Sequence, residues 1–208
     1  QKYIFYFNEH KKSSLKMYKT TKSRPFIMTG KTKTSNEKTY DYFKTDPIVL
    51  NGRFARYADA MWVQNKIEDK SKFSKLLDLY AVAVIIGFRK NRRLADDKMS
   101  SDKRTIQLDQ VASNYTRFYT IMQVILLLDD SRGLDPAEKA RMAFDTNPKS
   151  EKMYTENMEL FHSYARGGLE YLYEVLVTRP VGLDDEFEDA RVSNIMEFIK
   201  NPINNEVI

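Results

Sequence analysis

The sequence predicts a mainly α-helical protein, with a bundle-like domain of about six helices over residues 51–208 behind a short β-rich segment over residues 1–50. Three observations predict this. Apolar residues recur at three- and four-residue intervals after Arg53, which is helical spacing. Aromatic and β-branched residues are concentrated near the N-terminus, as they are in strands. Two turn signals, Asp46-Pro47 and Asn51-Gly52, lie between these regions.

Short strands are the expected elements of the N-terminal segment. The stretch KYIFYF is typical of a strand, and looser alternation follows at Leu15–Lys19. Arg24–Gly30 is a third candidate, and it ends in a turn. We expect two or three strands that form a small sheet, or an arm that orders against a partner.

The stretch around which the rest of the chain is organised runs from Phe73 to Arg93. Polarity disappears on every face between Leu79 and Phe88, which predicts a helix buried on all sides. The uniformly apolar run Leu79–Phe88 has only about 10 residues, against the roughly 20 that a membrane span needs, so a core helix is expected. Gly87 and the cations that follow it are typical of a helix end.

The flanking helices are predicted from the same spacing. Trp62, the only tryptophan, ends the run that begins at Arg53, and it is interpreted as a core anchor, the alternative being an exposed stacking surface. Further helices are expected over residues 108–130, after the cap signal Asp135-Pro136, over residues 150–177, and from Asp184. Gly167-Gly168 inside the helix 150–177 indicates either close helix packing or a kink.

Most kinds of catalytic site find no support in the residues. The chain has no cysteine, which excludes disulfides and thiolate metal sites and suits a reducing cytoplasm. His10 and His162 are the only histidines, and neither has a ligand partner at a suitable spacing. There is no signal-peptide pattern, no Walker loop and no nucleophile elbow. Adjacent acidic residues remain for metal chemistry: Asp96-Asp97, Asp129-Asp130 and Asp184-Asp185-Glu186. Adjacent helical side chains point in different directions and rarely converge on one ion. Asp129-Asp130 also falls at an expected helix end and Asp184 at an expected helix start.

Charge is distributed unevenly along the chain. Residues 1–50 carry a net charge of +7, residues 51–104 carry +6, and residues 105–208 carry −8. Such asymmetry indicates an anionic partner for the basic half. It is equally compatible with pairing of the two halves, within one chain or between copies.

Two groups of cations are candidate nucleic-acid contacts. One follows the central helix, and we call Arg89, Lys90, Arg92 and Arg93 the basic cluster. The other is interleaved with tyrosine and phenylalanine near the N-terminus, and comprises Lys11, Lys12, Lys16, Lys19, Lys22 and Arg24. Basic side chains neutralise phosphates, and aromatic faces stack on bases. The alternatives are an ordinary helix end for the first group and a solubilising strand surface for the second.

Three elements together resemble a known family. They are the apolar helix end Ala83–Phe88, the basic stretch Arg89–Arg93, and Gly167-Gly168-Leu169 inside a later helix. This pattern is similar to that of the small accessory proteins of Dnd-type DNA phosphorothioation and restriction loci. The resemblance covers about residues 73–177 and leaves the N-terminal 50 residues outside. It implies a role as a subunit in bacterial anti-phage defence, and it brings no catalytic motif.

We therefore expect a non-enzymatic, cytoplasmic subunit of a bacterial DNA-directed defence or restriction assembly, without cofactor, metal or membrane span. Its expected partners are the DNA backbone and other protein subunits. A stand-alone nucleic-acid-binding regulator is the alternative, and a metal-dependent nuclease that uses the acidic pairs is the third possibility.

Overall fold

A computed structural model describes residues 40–63, 72–145, 150–178 and 190–200. These residues form two short strands and seven helices, so the predicted mainly α-helical fold is confirmed. In chain order the elements are β1 (Ile48–Asn51), α1 (Arg53–Met61), α2 (Leu76–Arg89), β2 (Lys103–Ile106), α3 (Leu108–Ser113), α4 (Tyr115–Leu128), α5 (Pro136–Phe144), α6 (Glu151–Tyr173) and α7 (Ala190–Lys200). None of the helices in these ranges is both long enough and apolar enough to cross a bilayer.

The two strands pair antiparallel, with Ile48 opposite Ile106. Ile48, Leu50 and Ile106 are buried, while Val49 between them is exposed, as the period of a strand requires. Strand β2 was not predicted, because only one of its four residues is apolar and its polar sequence is typical of a loop. The strands predicted within residues 1–39 lie outside the described residues.

Helix α1 receives its N-terminal cap from a distant loop. Gly52 precedes the helix with a left-handed φ of 56°, and Arg53 donates its backbone N–H to Asp97 Oδ2 over 2.8 Å. The side chain of Asn51 donates to Asp96 Oδ2 over 2.9 Å. The Asp96-Asp97 pair therefore joins the loop after α2 to the start of α1, and a Cβ on Gly52 would collide with Asp97.

Helix α2 is buried along most of its length, although not on every side as predicted. Ile85 keeps 46% of its surface exposed, because this position points away from the packed neighbours. The helix ends close to the predicted position, although Gly87 is not itself the residue that turns the chain. The helix continues to Arg89 and ends in a Schellman motif, in which Arg92 N–H donates to the Gly87 carbonyl and Asn91 adopts a φ of 49°.

Gly87 is needed for a different reason, namely the close approach of α2 and α6. A Cβ on Gly168 would stand 1.7 Å from the carbonyl oxygen of Ala83, and one on Gly87 would stand 1.9 Å from that of Tyr164. The two backbones are therefore in direct contact. Of the two interpretations of Gly167-Gly168, close packing is the one observed. The most extensive helix–helix contact among the described elements is this one.

An aromatic cluster fills the core beside this crossing. The ring centroids of Phe43 and Phe161 lie 5.0 Å apart, and Phe118 lies 5.5 Å from Phe43. Tyr80 on α2 closes the group, 6.1 Å from Phe118. The predicted anchor, Trp62, packs against the core but is only half-buried. Residues 40–51 thus supply core side chains to the same compact unit as the helices.

The remaining helices agree with prediction except at one break. The expected helix 108–130 is divided into α3 and α4, because Asn114 leaves the helical conformation with φ −109° and ψ 21°. Asp135 caps α5 as predicted, accepting from the backbone N–H groups of Ala137 and Glu138. Helix α6 widens into a π-helical turn over Glu174–Thr178. The expected helix start at Asp184 lies outside the described residues.

The contact between α2 and α6 predicts that Gly168→Leu destabilises the protein. The added side chain must separate two backbones, so we expect a loss of about 3 kcal/mol or more in the free energy of unfolding, at the upper end for overpacking. Thr155→Leu is the matched control, since it adds a leucine to an exposed position of the same helix. Thermal and denaturant unfolding measure the stability of both variants. Equal stabilities of Gly168→Leu and Thr155→Leu would contradict the packing role of Gly168.

Candidate functional site

The basic cluster occupies the turn where the chain leaves α2 and crosses α6. The Schellman motif reverses the chain, and the backbone of Arg92 passes directly over Gly167, where a Cβ would stand 1.8 Å from the Arg92 carbonyl oxygen. Leu94 N–H then donates to the carbonyl of Ser163. Because the turn is so tight, the four cationic side chains leave it in different directions and do not form one continuous surface.

Arg92 is directed toward the acidic end of α6. Its guanidinium donates to Glu170 Oε2 and to Glu174 Oε2, each over 2.6 Å. The side chains of Arg92 and Glu170 are only 30% and 14% exposed, so this pairing is partly shielded from water. Hydrogen bonding to Glu174 raises the pKa of Arg92 above its ordinary value. A carboxylate oxygen of Glu170 also lies 3.5 Å from the guanidinium of Arg53, at the start of α1. Glu170 on α6 is therefore paired both with α1 and with the turn that follows α2.

Arg93 is directed to the other side, toward the turn between α4 and α5. It donates to Ser131 Oγ over 2.5 Å, and its guanidinium lies over the ring of Tyr164. Ser131 and Tyr164 in turn both donate to the buried carboxylate of Asp129. Burial by itself raises the pKa of Asp129, but these hydrogen bonds outweigh it and hold the pKa below its ordinary value.

The other two cations, Lys90 and Arg89, differ in exposure. Lys90 lies over the ring of Tyr171, with its Nζ 5.0 Å from the ring centroid. Arg89 is exposed, and it has no ion-pair or hydrogen-bond partner among the described residues. Within the basic cluster, Arg89 is therefore the side chain most accessible to an anion, whereas Arg92 is held by carboxylates of its own chain.

The N-terminal candidates Lys11, Lys12, Lys16, Lys19, Lys22 and Arg24 lie outside the described residues. Their charge nevertheless stands out against the rest of the chain. Residues 1–39 contain 10 Lys or Arg and 2 Asp or Glu, a net charge of +8. The described residues contain 20 Lys or Arg and 19 Asp or Glu, and are close to neutral. The excess positive charge of the chain thus belongs to its first 39 residues.

Within the described residues, the candidate acidic pairs and His162 have structural partners, while His10 and Asp184-Asp185-Glu186 lie outside these residues. Asp97 caps α1, Asp129 binds Tyr164, and within the described ranges no three carboxylates or histidines are grouped to hold a metal ion. His162 Nδ1 and the Tyr80 hydroxyl share a hydrogen bond of 2.6 Å. Burial, assisted by the positive charge of Arg166, lowers the pKa of His162 to about 4, although the nearby charge of Asp96 opposes this.

Sequence reasoning did not find the partners of Arg92. The signal was available, because Glu170 and Glu174 are four residues apart and so share one face of a helix. Only the chain path across Gly167 shows that this face meets the basic cluster.

Comparisons with protein-family models, with curated proteins and with solved structures each gave no match to this chain.

The partly buried pairing predicts that Arg92→Ala destabilises the fold. Removing the guanidinium leaves Glu174 without its cation and Glu170 with Arg53 alone, so we expect a loss of about 1–3 kcal/mol in the free energy of unfolding. Arg117→Ala is the control, because the side chains of Arg117 and Asp78 are 41% and 40% exposed. This substitution should lower the free energy of unfolding by no more than about 0.5 kcal/mol. Denaturant melts of both variants measure the free energy of unfolding. Equal losses would show that the Arg92 pairing stabilises the fold no more than an exposed ion pair does.

The buried histidine predicts a pH-dependent stability. The unfolded chain binds a proton on His162 near pH 6.5, but the folded chain does so only near pH 4, so the stabilisation is complete above pH 6.5 and is lost as pH falls toward 4. Between pH 7 and 5.5 the loss should be about 1 kcal/mol.

His162→Gln should abolish most of that dependence, whereas His10→Gln, which removes the other histidine, should preserve it. Urea melts at pH 7, 6.25 and 5.5 provide the measurement. A dependence that survives in His162→Gln would assign it to another group.

Proposed function

We propose that this protein is a non-enzymatic, cytoplasmic subunit of a bacterial DNA-directed defence or restriction assembly, and that it contacts the DNA backbone. The observation that carries the proposal is the separation of charge along the chain. Residues 1–39 have a net charge of +8, against a near-neutral remainder of the described protein. A basic segment of this density binds phosphates by releasing their counterions, without needing a recognition motif.

The basic cluster supports the same function in a smaller role. Arg89 offers an exposed cation on a turn that is held rigid by the Schellman motif and by Arg92. Lys90 and Arg93 lie over aromatic rings of the same chain. We assign the primary phosphate contacts to Lys11, Lys12, Lys16, Lys19, Lys22 and Arg24. Arg89 makes a secondary contact, Arg92 and Arg93 position the turn, and Lys90 packs against Tyr171.

The assignment to a defence assembly rests on the resemblance of residues 73–177 to accessory proteins of Dnd-type loci. A subunit of this kind would act by holding DNA or partner proteins, which agrees with a structure in which the candidate acidic groups are engaged in capping and hydrogen bonding. Phosphorothioation, helicase or nuclease genes beside this one would support the assembly, and their absence would favour a stand-alone regulator.

The salt dependence of DNA binding tests the contacts. We expect Lys11→Ala, Lys12→Ala, Lys16→Ala and Lys19→Ala, combined in the full chain, to reduce the slope of log affinity against log salt by roughly 3–4, since each phosphate contact contributes about 0.9. The loss should be the same for unrelated duplex sequences, because phosphate contacts do not specify sequence. Fluorescence anisotropy of labelled duplexes at several salt concentrations measures the slope.

The matched control removes the same charge from another place. Lys98, Lys103, Lys152 and Lys200 are all exposed, and replacing all four by Ala changes the net charge identically. If both quadruple variants flatten the slope equally, binding follows total charge and the assigned contacts are wrong. If the wild type does not bind DNA at physiological salt, the proposed function itself fails.

A further inference from the structure

A half-open cavity of about 590 Å³ lies beside the end of α1. Its walls come from the end of α1, the first turn of α2 and the stretch from β2 into α3. This volume is within the range of small-molecule binding sites. Neither the proposed phosphate contacts nor the basic cluster uses it.

Trp62 forms the aromatic wall of this cavity. Its backbone is fixed, because its own N–H donates to Ala58 and the flanking Val63 N–H donates to Phe73. The side chain rests on the core on one side and remains half-buried, which leaves part of its surface facing the cavity. A rigid, partly exposed tryptophan is a surface on which a planar ring can stack.

The polar lining consists largely of neutral groups with free hydrogen-bonding capacity. Gln107 and Gln110 are exposed, and their side-chain amides bind no other described residue. Asn114 uses one N–H on the backbone of Gln110, which leaves its amide oxygen available. Primary amides carry both donors and acceptors, so they match the mixed edge of a nucleobase.

The charged groups of the lining do not favour a phosphate. Among the described residues that line the cavity, Lys75 is the single cation, and it is opposed by Asp78 and Asp109. Asp78 is already paired with Arg117 over 2.5 Å, whereas Asp109 is exposed. Because Arg117 neutralises Asp78, Lys75 and Asp109 leave the described lining without net charge. The cavity therefore offers no net attraction to a phosphate, and it suits the uncharged, aromatic part of a nucleotide.

We propose that this cavity binds one unstacked nucleobase of a single strand, with the base stacked on Trp62 and its edge hydrogen-bonded by Gln107 and Gln110. This inference rests on the proposed contact with nucleic acid, and it adds a site for the base to a site for the backbone. Proteins that bind single strands combine these same two components, stacking surfaces and cationic grooves.

The only tryptophan of the chain reports on this site directly. Binding of an unlabelled single-stranded oligonucleotide of mixed sequence should quench the tryptophan fluorescence saturably. A duplex of the same length, and an abasic strand with the same phosphates, should bind without quenching. Free nucleosides at millimolar concentration should also quench, since they carry the base alone. Anisotropy of a labelled copy of each strand measures binding independently of Trp62.

Three variants of the full chain identify the contacts. Trp62→Ala should weaken single-strand binding by about 5- to 150-fold, the effect of losing one stacked base. Because Trp62 also touches the core, Gln107→Ala with Gln110→Ala provides a variant at exposed positions, with an expected loss of about 3- to 10-fold. Gln123→Ala, on α4 outside the cavity, is the control and should leave affinity unchanged.

The outcomes separate this inference from the proposed function. If anisotropy shows that strands bind, but the tryptophan fluorescence does not change and the glutamine double variant binds with wild-type affinity, the base site is refuted. The backbone contacts are retained in that case. Nucleoside quenching without any binding of strands would refute both the proposed function and a site for a base within a strand, and would reassign the cavity to free nucleosides. Absence of both signals would refute both.

Discussion

The contact of α2 with α6, backbone against backbone, is the constraint on which the rest of the described structure depends. The carbonyl oxygens of Ala83 and Tyr164 occupy the space where side chains on Gly168 and Gly87 would stand. At this separation the two helices have no freedom to slide without a clash, since packed interiors tolerate little change in volume. The crossing brings Tyr80 and Phe161 into one aromatic cluster, and it places the end of α2 directly over α6.

The electrostatic arrangement follows from that placement. Because Arg92 passes over Gly167, its guanidinium reaches Glu170 and Glu174 from the same side, and the acidic part of α6 is neutralised within the chain. Arg93, one residue later, leaves the turn in the opposite direction and joins the hydrogen-bonded group of Ser131, Tyr164 and Asp129. Two of the four cations of the basic cluster thus brace the fold, and the pairing of basic and acidic halves that the sequence allowed is realised here within one chain.

The helices could be predicted from the sequence because their apolar spacing is a local property, and the Asp135 cap could be predicted for the same reason. Features that depend on distant partners could not. Strand β2 is polar and exists because it pairs with β1, α1 is capped by Asp97 from 44 residues away, and Gly87 is required by a contact with α6. The candidate site shows the same division: charge density is visible in the sequence, but the direction in which Arg92 and Arg93 point depends on the tertiary path.

The described part of the chain is close to electrically neutral, whereas residues 1–39 are strongly basic, and this division of charge suits a binding subunit. Affinity for DNA that comes from lysines alone is strong at low salt and insensitive to sequence, because phosphates are the same everywhere. Discrimination requires groups of defined geometry, and these belong on a scaffold that does not move. Trp62, fixed at the end of α1 by backbone hydrogen bonds, and the amides of α3 are placed in that way. Under the proposed function, the basic residues provide attraction and the helical scaffold provides the distinction between an unpaired base and a duplex.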